Sequence, residues 1–381
     1  MTTVSSLRAT ATSGTTVLKF DRVTVSEDAA RVPFAEAQLV IPYTPAMHAL
    51  LDPRTSPTPR VAIELSQDYV AARALSAISA DYAGQTLAAL SADYAGGTLA
   101  DISLDYGDPL DGGTVVRLPQ VRRYDLGVRN LGVDHAAATL TVDLASDELI
   151  FVDYALLATT PFAPVNLRVD AALMMIFRTA ITGAAINAEA IAGAAITPDS
   201  AIWQPGETAW DYITSLLTPF GFRLWCDGQR VWHVGPVDEF RDSTPYEFAD
   251  TTNLKNVTDQ IDRDAAGWAD GVVITYRWTD AAGATQTAYD IAGDGTSRKI
   301  IAEQVDRPYP GPGAAAQRLR LLKGRGHQLR LDVSPDLGGK PGQFALVDRA
   351  GMPEQAGHIE SITWSLPDDS MAVTTSDMHD V

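Results

Sequence analysis

Apolar positions recur at two different periods along the chain, and the changes of period divide it. Between Val17 and Leu65 the stretches VLKFDRVTVSED, AEAQLVI and RVAIEL combine β-branched residues with partial alternation, the pattern of half-buried strands. Prolines 42, 45, 53, 57 and 59 separate these strands and keep MHALLDPRTSPTP from extending as a long helix. Alternation resumes at VVRLPQVRRYDLGVRNLGV and AAATLTVDLAS, which predicts one β domain over residues 1–150 with an insert at about 66–112. Beyond SDELIFVDYALLATTPFAPV the period lengthens. Val169, Leu173, Ile176, Phe177 and Ala180 form a helical stripe over about 166–181, with Arg168 and Arg178 outside it. The following TGAAINAEAIAGAAIT is poor in bulky groups and reads as a packed linker or flap.

The stretch from Ile202 to Val237 carries four of the seven tryptophans and the single cysteine. Pro205 and Gly206 open a helix in its first half, with Glu207 set against the positive end of the dipole. Ala209, Ile213, Leu216, Leu217 and Phe220 line its apolar face, and Pro219 and Gly221 stop it. Asp227-Gly228 then predicts a β-hairpin closed by a two-residue type I′ turn. In that register Leu224 faces Val231 and Phe222 faces His233 on the inner side. The outer side becomes a checkerboard, with Arg223 opposite Trp232 and Trp225 opposite Arg230. Such Arg–Trp pairs gain cation–π attraction, though alternating basic and aromatic residues also suit base stacking. Trp210, Leu224 and Val231 are expected to contribute to the core, and Trp210, Arg223, Trp225, Arg230 and Trp232 to form a junction or subunit interface.

Strand patterns return at GVVITYRW and TQTAYDIA, which flank the turn-like TDAAGA, and again at HQLRLDVS, GQFALVDR, GHIESITWSL and SMAVTTS. One helix, from Ala314 to about Lys323, buries Leu319 and Leu322. The chain therefore reads as mainly β with α (α+β). A β domain at 1–150 and another at 246–381 bracket a helical and hairpin region at 151–245.

The insert is an internal repeat in which Asp68-Tyr69, Asp81-Tyr82, Asp93-Tyr94 and Asp105-Tyr106 recur at spacings of 13, 12 and 12. Thr98-Leu99-Ala100-Asp101 resembles a capping box, and Thr86 starts the preceding unit in the same way. A short stack of two-turn helices is expected, with a tight β-solenoid as the competing fold. The D-x-D-x-D-G order of an EF-hand is missing, so solvated aspartates are the plainer reading than calcium ligands.

Charge narrows the function. Lys plus Arg number 29 against 48 Asp plus Glu, a net charge of -19 that repels phosphate backbones and disfavours nucleic-acid wrapping. One cysteine allows no internal disulfide, and Cys226 is expected to be a small packed residue. The first residues lack the basic and apolar regions of a signal peptide, and no segment reaches the ~20 apolar residues of a membrane span. Gly311-Pro312-Gly313-Ala314-Ala315-Ala316 fits G-x-G-x-x-A formally. However, Pro312 removes a donor from the loop and no strand leads into it, so a helix-capping turn is expected there. The six histidines show no zinc-ligand spacing, and Cys226 and His233 lie too far apart in the expected hairpin for a thiol–imidazole pair. Pairs such as Asp290 and Asp294 are unremarkable among so many acids. Neither catalysis nor a cofactor is expected.

Three stretches resemble the hub proteins of phage tails, the baseplate-hub and late-control-D family found among minor tail proteins of long-tailed actinobacterial phages. AAATLTVDLASDELIFVDYALLA is similar to the end of that family's first β domain, where a Ser-Asp-Glu run precedes an apolar helix start. QPGETAWDYITSLLTPFGFRLWCDGQRVWHV is similar to its helix–glycine–hairpin module. GKPGQFALVD through GHIESITWSLPDDSMAVTT is similar to its closing strands. The resemblance implies two small β-barrel domains per chain and a homotrimeric ring at the distal end of the tail tube. Its expected partners are the distal tail protein, the terminus of the tape measure protein, and other tail-tip or fibre proteins. Genomic DNA would pass through a carboxylate-lined channel without specific binding. The expected location is the virion, after synthesis in the host cytoplasm. Against this stand a receptor- or carbohydrate-binding tip protein, using Trp225 and Trp232 as a sugar platform, and a cell-wall hydrolase, for which no residue constellation is found.

Overall fold

A computed structural model describes residues 3–71, 120–181, 185–187, 195–237, 244–250, 252–261, 268–280 and 283–381. The repeat units at Asp81-Tyr82, Asp93-Tyr94 and Asp105-Tyr106 lie outside them.

The amino-terminal region supplies β1 (Thr3–Ser13), β2 (Thr16–Leu18), β3 (Arg22–Asp28), β4 (Ala35–Pro42), β5 (Arg60–Ala71), β6 (Gln120–Asp134) and β7 (Thr139–Ala145). Their alternation is regular: β4 buries Ala35, Ala37, Leu39 and Ile41 and turns the residues between them outward. Among the described residues of this region one short helix, α1 (Pro45–Leu50), interrupts the strands, capped by the Thr44 hydroxyl and confined by prolines as the sequence implies. Strand β1 was not legible in the sequence. Its Ser, Thr and Ala residues carry little hydrophobic signal, yet it pairs with β5 from Thr3↔Ala71 to Thr12↔Ala62.

The carboxy-terminal region adds β11 (Tyr246–Ala249), β12 (Leu254–Ile261), β16 (His327–Val333), β17 (Phe344–Asp348), β18 (Gln355–Leu366) and β19 (Ser370–Asp380). These do not form a separate sheet. Strand β18 pairs antiparallel with β3, from Ser361↔Asp28 to Leu366↔Val23, so both ends of the chain share one 13-stranded sheet. Its main path runs β12-β16-β19-β18-β3-β4-β7-β6-β5-β1-β2, with β17 and β11 branching from β18. Among the described residues the path is open at both ends, so the mainly β class holds but these strands do not close into two separate barrels. The sheet curls: the Leu7 N–H of β1 donates to Asp369 Oδ1 at 3.0 Å, and Arg122 of β6 donates to the carbonyls of Leu337 and Gly339. One core fills the curl, with Leu39, Ile63, Leu65, Leu126, Leu140 and Trp364 among its fully buried side chains.

The middle region has its own core. It comprises α2 (Glu148–Asp153), α3 (Val169–Ala180), β8 (Ala185–Asn187), α4 (Ala209–Leu217), β9 (Phe222–Cys226) and β10 (Val231–Pro236). Helix α3 buries the predicted stripe Val169, Leu173, Ile176 and Phe177. Part of the Ala/Gly-rich linker becomes β8, which runs parallel to β10.

A third core lies between α5 (Ala314–Lys323) and a small sheet of β13 (Gly271–Thr279), β14 (Thr285–Ala292) and β15 (Ile300–Val305), in the order β14-β13-β15. The hairpin expected around TDAAGA is β13–β14. Its partner β15 runs parallel to β13, since β14 carries the chain back and residues 293–299 lead it across to the other edge of β13.

Candidate functional site

The stretch 202–237 touches all three cores. Its helix begins later than the sequence suggests. Pro205 and Gly206 (φ 81°) form a turn, and Thr208 caps α4 by accepting the Asp211 N–H at 3.0 Å. Glu207 does not face the helix dipole. It accepts the Gln204 N–H at 3.0 Å and pairs with the buried Arg307 at 3.2 Å. Burial raises the Glu207 pKa, and Arg307 beside it only partly opposes that rise. Arg307 lies just after β15, so this pair ties the helix start to the third unit. At its other end α4 passes through a 3₁₀ turn, Thr218–Phe220, and exits at Gly221 with φ 74°, as expected for a glycine stop. Gly313 packs against that turn so closely that an added Cβ would lie 2.5 Å from the Pro219 carbonyl oxygen.

The hairpin differs from the two-residue turn the sequence suggested. Its loop spans Asp227 to Arg230, and the observed partners are Trp232↔Cys226, His233↔Trp225 and Val234↔Leu224. Asp227 accepts the N–H groups of Gln229 and Val231, both at 2.9 Å, and the left-handed residue is Arg230 (φ 66°). The three-residue register shift dissolves the checkerboard, because it moves Trp232 to the opposite face from Trp225. Trp232 is fully buried in the middle core, stacked on Phe151 at 4.6 Å and edge-on to Phe177 at 5.0 Å. Leu224, Cys226 and Val234 join it there, while Val231 is only half-buried. Burial pushes the Cys226 thiol far up, so it is an inert packed group. Trp210 packs half-buried against the same core.

The other hairpin face turns toward the large sheet. Trp225 is buried in that core, stacked on His233 at 5.2 Å, with the Arg223 guanidinium 4.3 Å above its ring. Arg223 also donates to the Ala29 carbonyl at 3.0 Å. His233 pairs with Asp227 at 2.9 Å. Burial works against ionisation of Asp227, but that pair and the two backbone donors outweigh it and hold the carboxyl below its ordinary range. At the tip, the Gly228 carbonyl accepts the Asp125 N–H at 2.6 Å, and Tyr124 lies where a Gly228 side chain would be.

The Ser-Asp-Glu run completes the contact. Asp147 is buried and receives Arg60 at 2.7 Å and Arg230 at 2.9 Å; Arg60 also pairs with Asp125 at 2.8 Å. Glu148 is 1% exposed. It accepts the N–H groups of Phe34 (3.2 Å) and Cys226 (2.8 Å) and the Ser146 hydroxyl. Burial raises its pKa despite those donors. One carboxylate thus stitches the β3–β4 loop, α2 and the hairpin together. The resemblance pointed to this run, but no pattern within the sequence shows its burial. Of the five expected junction residues, the structure brings Arg223 and Trp225 together, turns Arg230 onto Asp147, and separates Trp232 and Trp210 into the middle core.

The other suspected sites resolve into structural roles. Asp290 accepts the N–H groups of Gly313 (3.1 Å) and Ala315 (2.9 Å), so a carboxylate from β14 already occupies the start of α5. This accounts for the G-x-G-x-x-A match. Asp294 sits in a turn, accepting the Thr296 N–H at 2.8 Å. Among the described residues no group of His, Cys, Asp and Glu is arranged to hold a metal ion, and no helix is long and apolar enough to cross a membrane.

No known family profile matches the sequence, nor does any curated protein. Solved structures do match. The tail protein of Neisseria meningitidis MC58 aligns with a TM-score of 0.56 at 13% identity, covering 97% of this chain and 96% of that one. The 43 kDa tail protein of prophage MuSo2 from Shewanella oneidensis gives 0.56 at 12% identity, covering 97% of each chain. What is shared at such identities is the fold, and this chain has the fold of these tail proteins.

Proposed function

We propose that the chain is a non-enzymatic structural protein of a phage tail, a hub at the distal end of the tube. Three copies form a ring that joins the distal tail protein and the tape measure terminus to the tip proteins and lines the DNA exit channel. The observation that carries this reading is the fold shared with two tail proteins over nearly the whole of each chain. In this reading residues 1–150 and 246–381 contribute the two curled halves of the large sheet, taking the place of two barrels, and residues 151–245 form the joint. A net charge of -19 suits a channel that DNA crosses without binding. A sugar platform on Trp225 and Trp232 finds no support, since the two indoles are buried on opposite hairpin faces.

Cryo-electron microscopy of the intact tail tip tests the proposal. Three copies around the channel below the tube are expected. Absence of the chain from purified tails, or a peripheral fibre position, overturns it.

A further inference from the structure

Two apolar surfaces stand out among the described residues, and neither belongs to the junction. The first is the outer face of the small sheet, opposite α5. Cross-strand pairing places Ile291 and Ala302 on either side of Val273, Tyr289 and Gln304 on either side of Thr275, and Ile300 beside Gly271. Tyr289, Ile291 and Ile300 are 61%, 68% and 57% exposed. The second is the extended segment between α2 and α3. No charged residue occurs between Asp153 and Arg168 there, and Leu157 and Val165 are both fully exposed. This segment is held firmly by its backbone. Leu156 N–H donates to Glu207 O at 3.1 Å, and Phe162 and Trp203 exchange two backbone bonds of 2.9 Å each. Its apolar side chains are thus presented outward on a fixed support, not left on a slack loop.

We infer that these surfaces meet between copies: the 157–165 segment of one copy lies across the outer face of the small sheet of the next. Charge favours a second copy as the occupant. Chains of net charge -19 repel unless the meeting surfaces exclude carboxylates, and these two do. The only charged side chain on the strand rows of the sheet face is Arg277, which is drawn to an acidic copy. Area favours a ring over an isolated pair. Three strands ~4.8 Å apart with three outward positions each present about 300 Å². That falls well below the ~800 Å² per partner of a standard interface. Two different surfaces meeting head to tail generate a ring when the rotation between copies closes, and every copy is then held from both sides. The inference rests on the ring reading above and assigns its contact.

Two single variants, Leu157→Cys and Tyr289→Cys, are to be purified separately, mixed and oxidised, with native mass spectrometry of the wild type alongside. Cys226 is buried and does not compete. Disulfide-linked pairs are expected in the mixture and not in either variant alone. Leu157→Asp and Ile291→Asp should each weaken self-association by about tenfold or more while leaving the circular dichroism spectrum unchanged, as both side chains are exposed. An oligomer that forms without the cross-link, and that tolerates both aspartates, overturns this contact and leaves the ring reading standing. A wild type that stays monomeric at all concentrations overturns both.

Discussion

Gly228 lies tight against the large sheet. An added Cβ would lie 3.0 Å from Tyr124 Cε1, nearer still to Cδ1, and 3.2 Å from the Arg123 carbonyl. Tyr124 cannot yield easily, since its ring is buried and its hydroxyl donates to Glu27 at 2.9 Å. Gly228→Ala should therefore cost about 1–3 kcal/mol in urea unfolding, the usual penalty for overpacking a tight contact. A neutral result would mean that the turn is free to lift from the sheet. Glu148 makes a pH-dependent contribution with a defined sign. Its folded pKa is raised, so its proton stabilises the fold fully below the unfolded carboxyl range, and that stabilisation is lost as pH rises through the folded value. Gln at this position keeps both acceptor bonds from Phe34 and Cys226 and has no proton to lose. The stability of wild type relative to Glu148→Gln should therefore fall as pH rises above the ordinary carboxyl range, measured as paired urea midpoints at a series of pH values. A constant difference across that series refutes the assignment.

At the scale of elements, the turn from Asp227 to Arg230 decides which tryptophan enters which core. Asp-Gly is a strong turn signal, but the Asp227 carboxylate instead gathers the Gln229 and Val231 N–H groups and closes a longer loop. Positive φ then falls on Arg230, which tolerates it while its guanidinium holds Asp147. Arg230→Gly and Arg230→Ala both lose that ion pair, yet the glycine variant should be about 1 kcal/mol the more stable. Equal stabilities would show that the left-handed conformation is not maintained. The helix, its glycine exit, α3 and α5 were all legible because their signals are local: apolar spacing, a proline and a positive-φ glycine. The hairpin register was not, since it depends on one side chain choosing backbone donors over solvent. That shift of three residues moved Trp232 from an imagined ligand face into the middle core.

Across the whole molecule, charge and topology set the behaviour. A chain of net charge -19 repels itself when compact, and the ion pairs Glu27–Arg122 and Glu207–Arg307 are sheltered from bulk salt. Raising sodium chloride from about 10 mM to about 500 mM should therefore increase the melting temperature, by screening the repulsion more than the buried pairs. A fall in melting temperature over that range would show that exposed ion pairs dominate. The β-rich class was legible from strand patterning at both ends of the chain. That the two ends share one sheet was not. Nothing local in β3 specifies β18 as its neighbour, and alternation fixes only which face of each strand is inward.

The β3–β18 seam has a consequence for synthesis. Val23 to Asp28 leave the ribosome early, but the strand that covers their open edge follows roughly 330 residues later. At ~5–20 residues per second the wait is on the order of 15–70 s. During that interval β3 offers a row of unpaired backbone groups to any neighbouring nascent chain. On a polysome, where copies of the same β3 and β18 sequences lie side by side, an early chain can borrow a late chain's β18. The seam that unites the two ends of the finished molecule is therefore also the place where two unfinished molecules are most prone to become entangled.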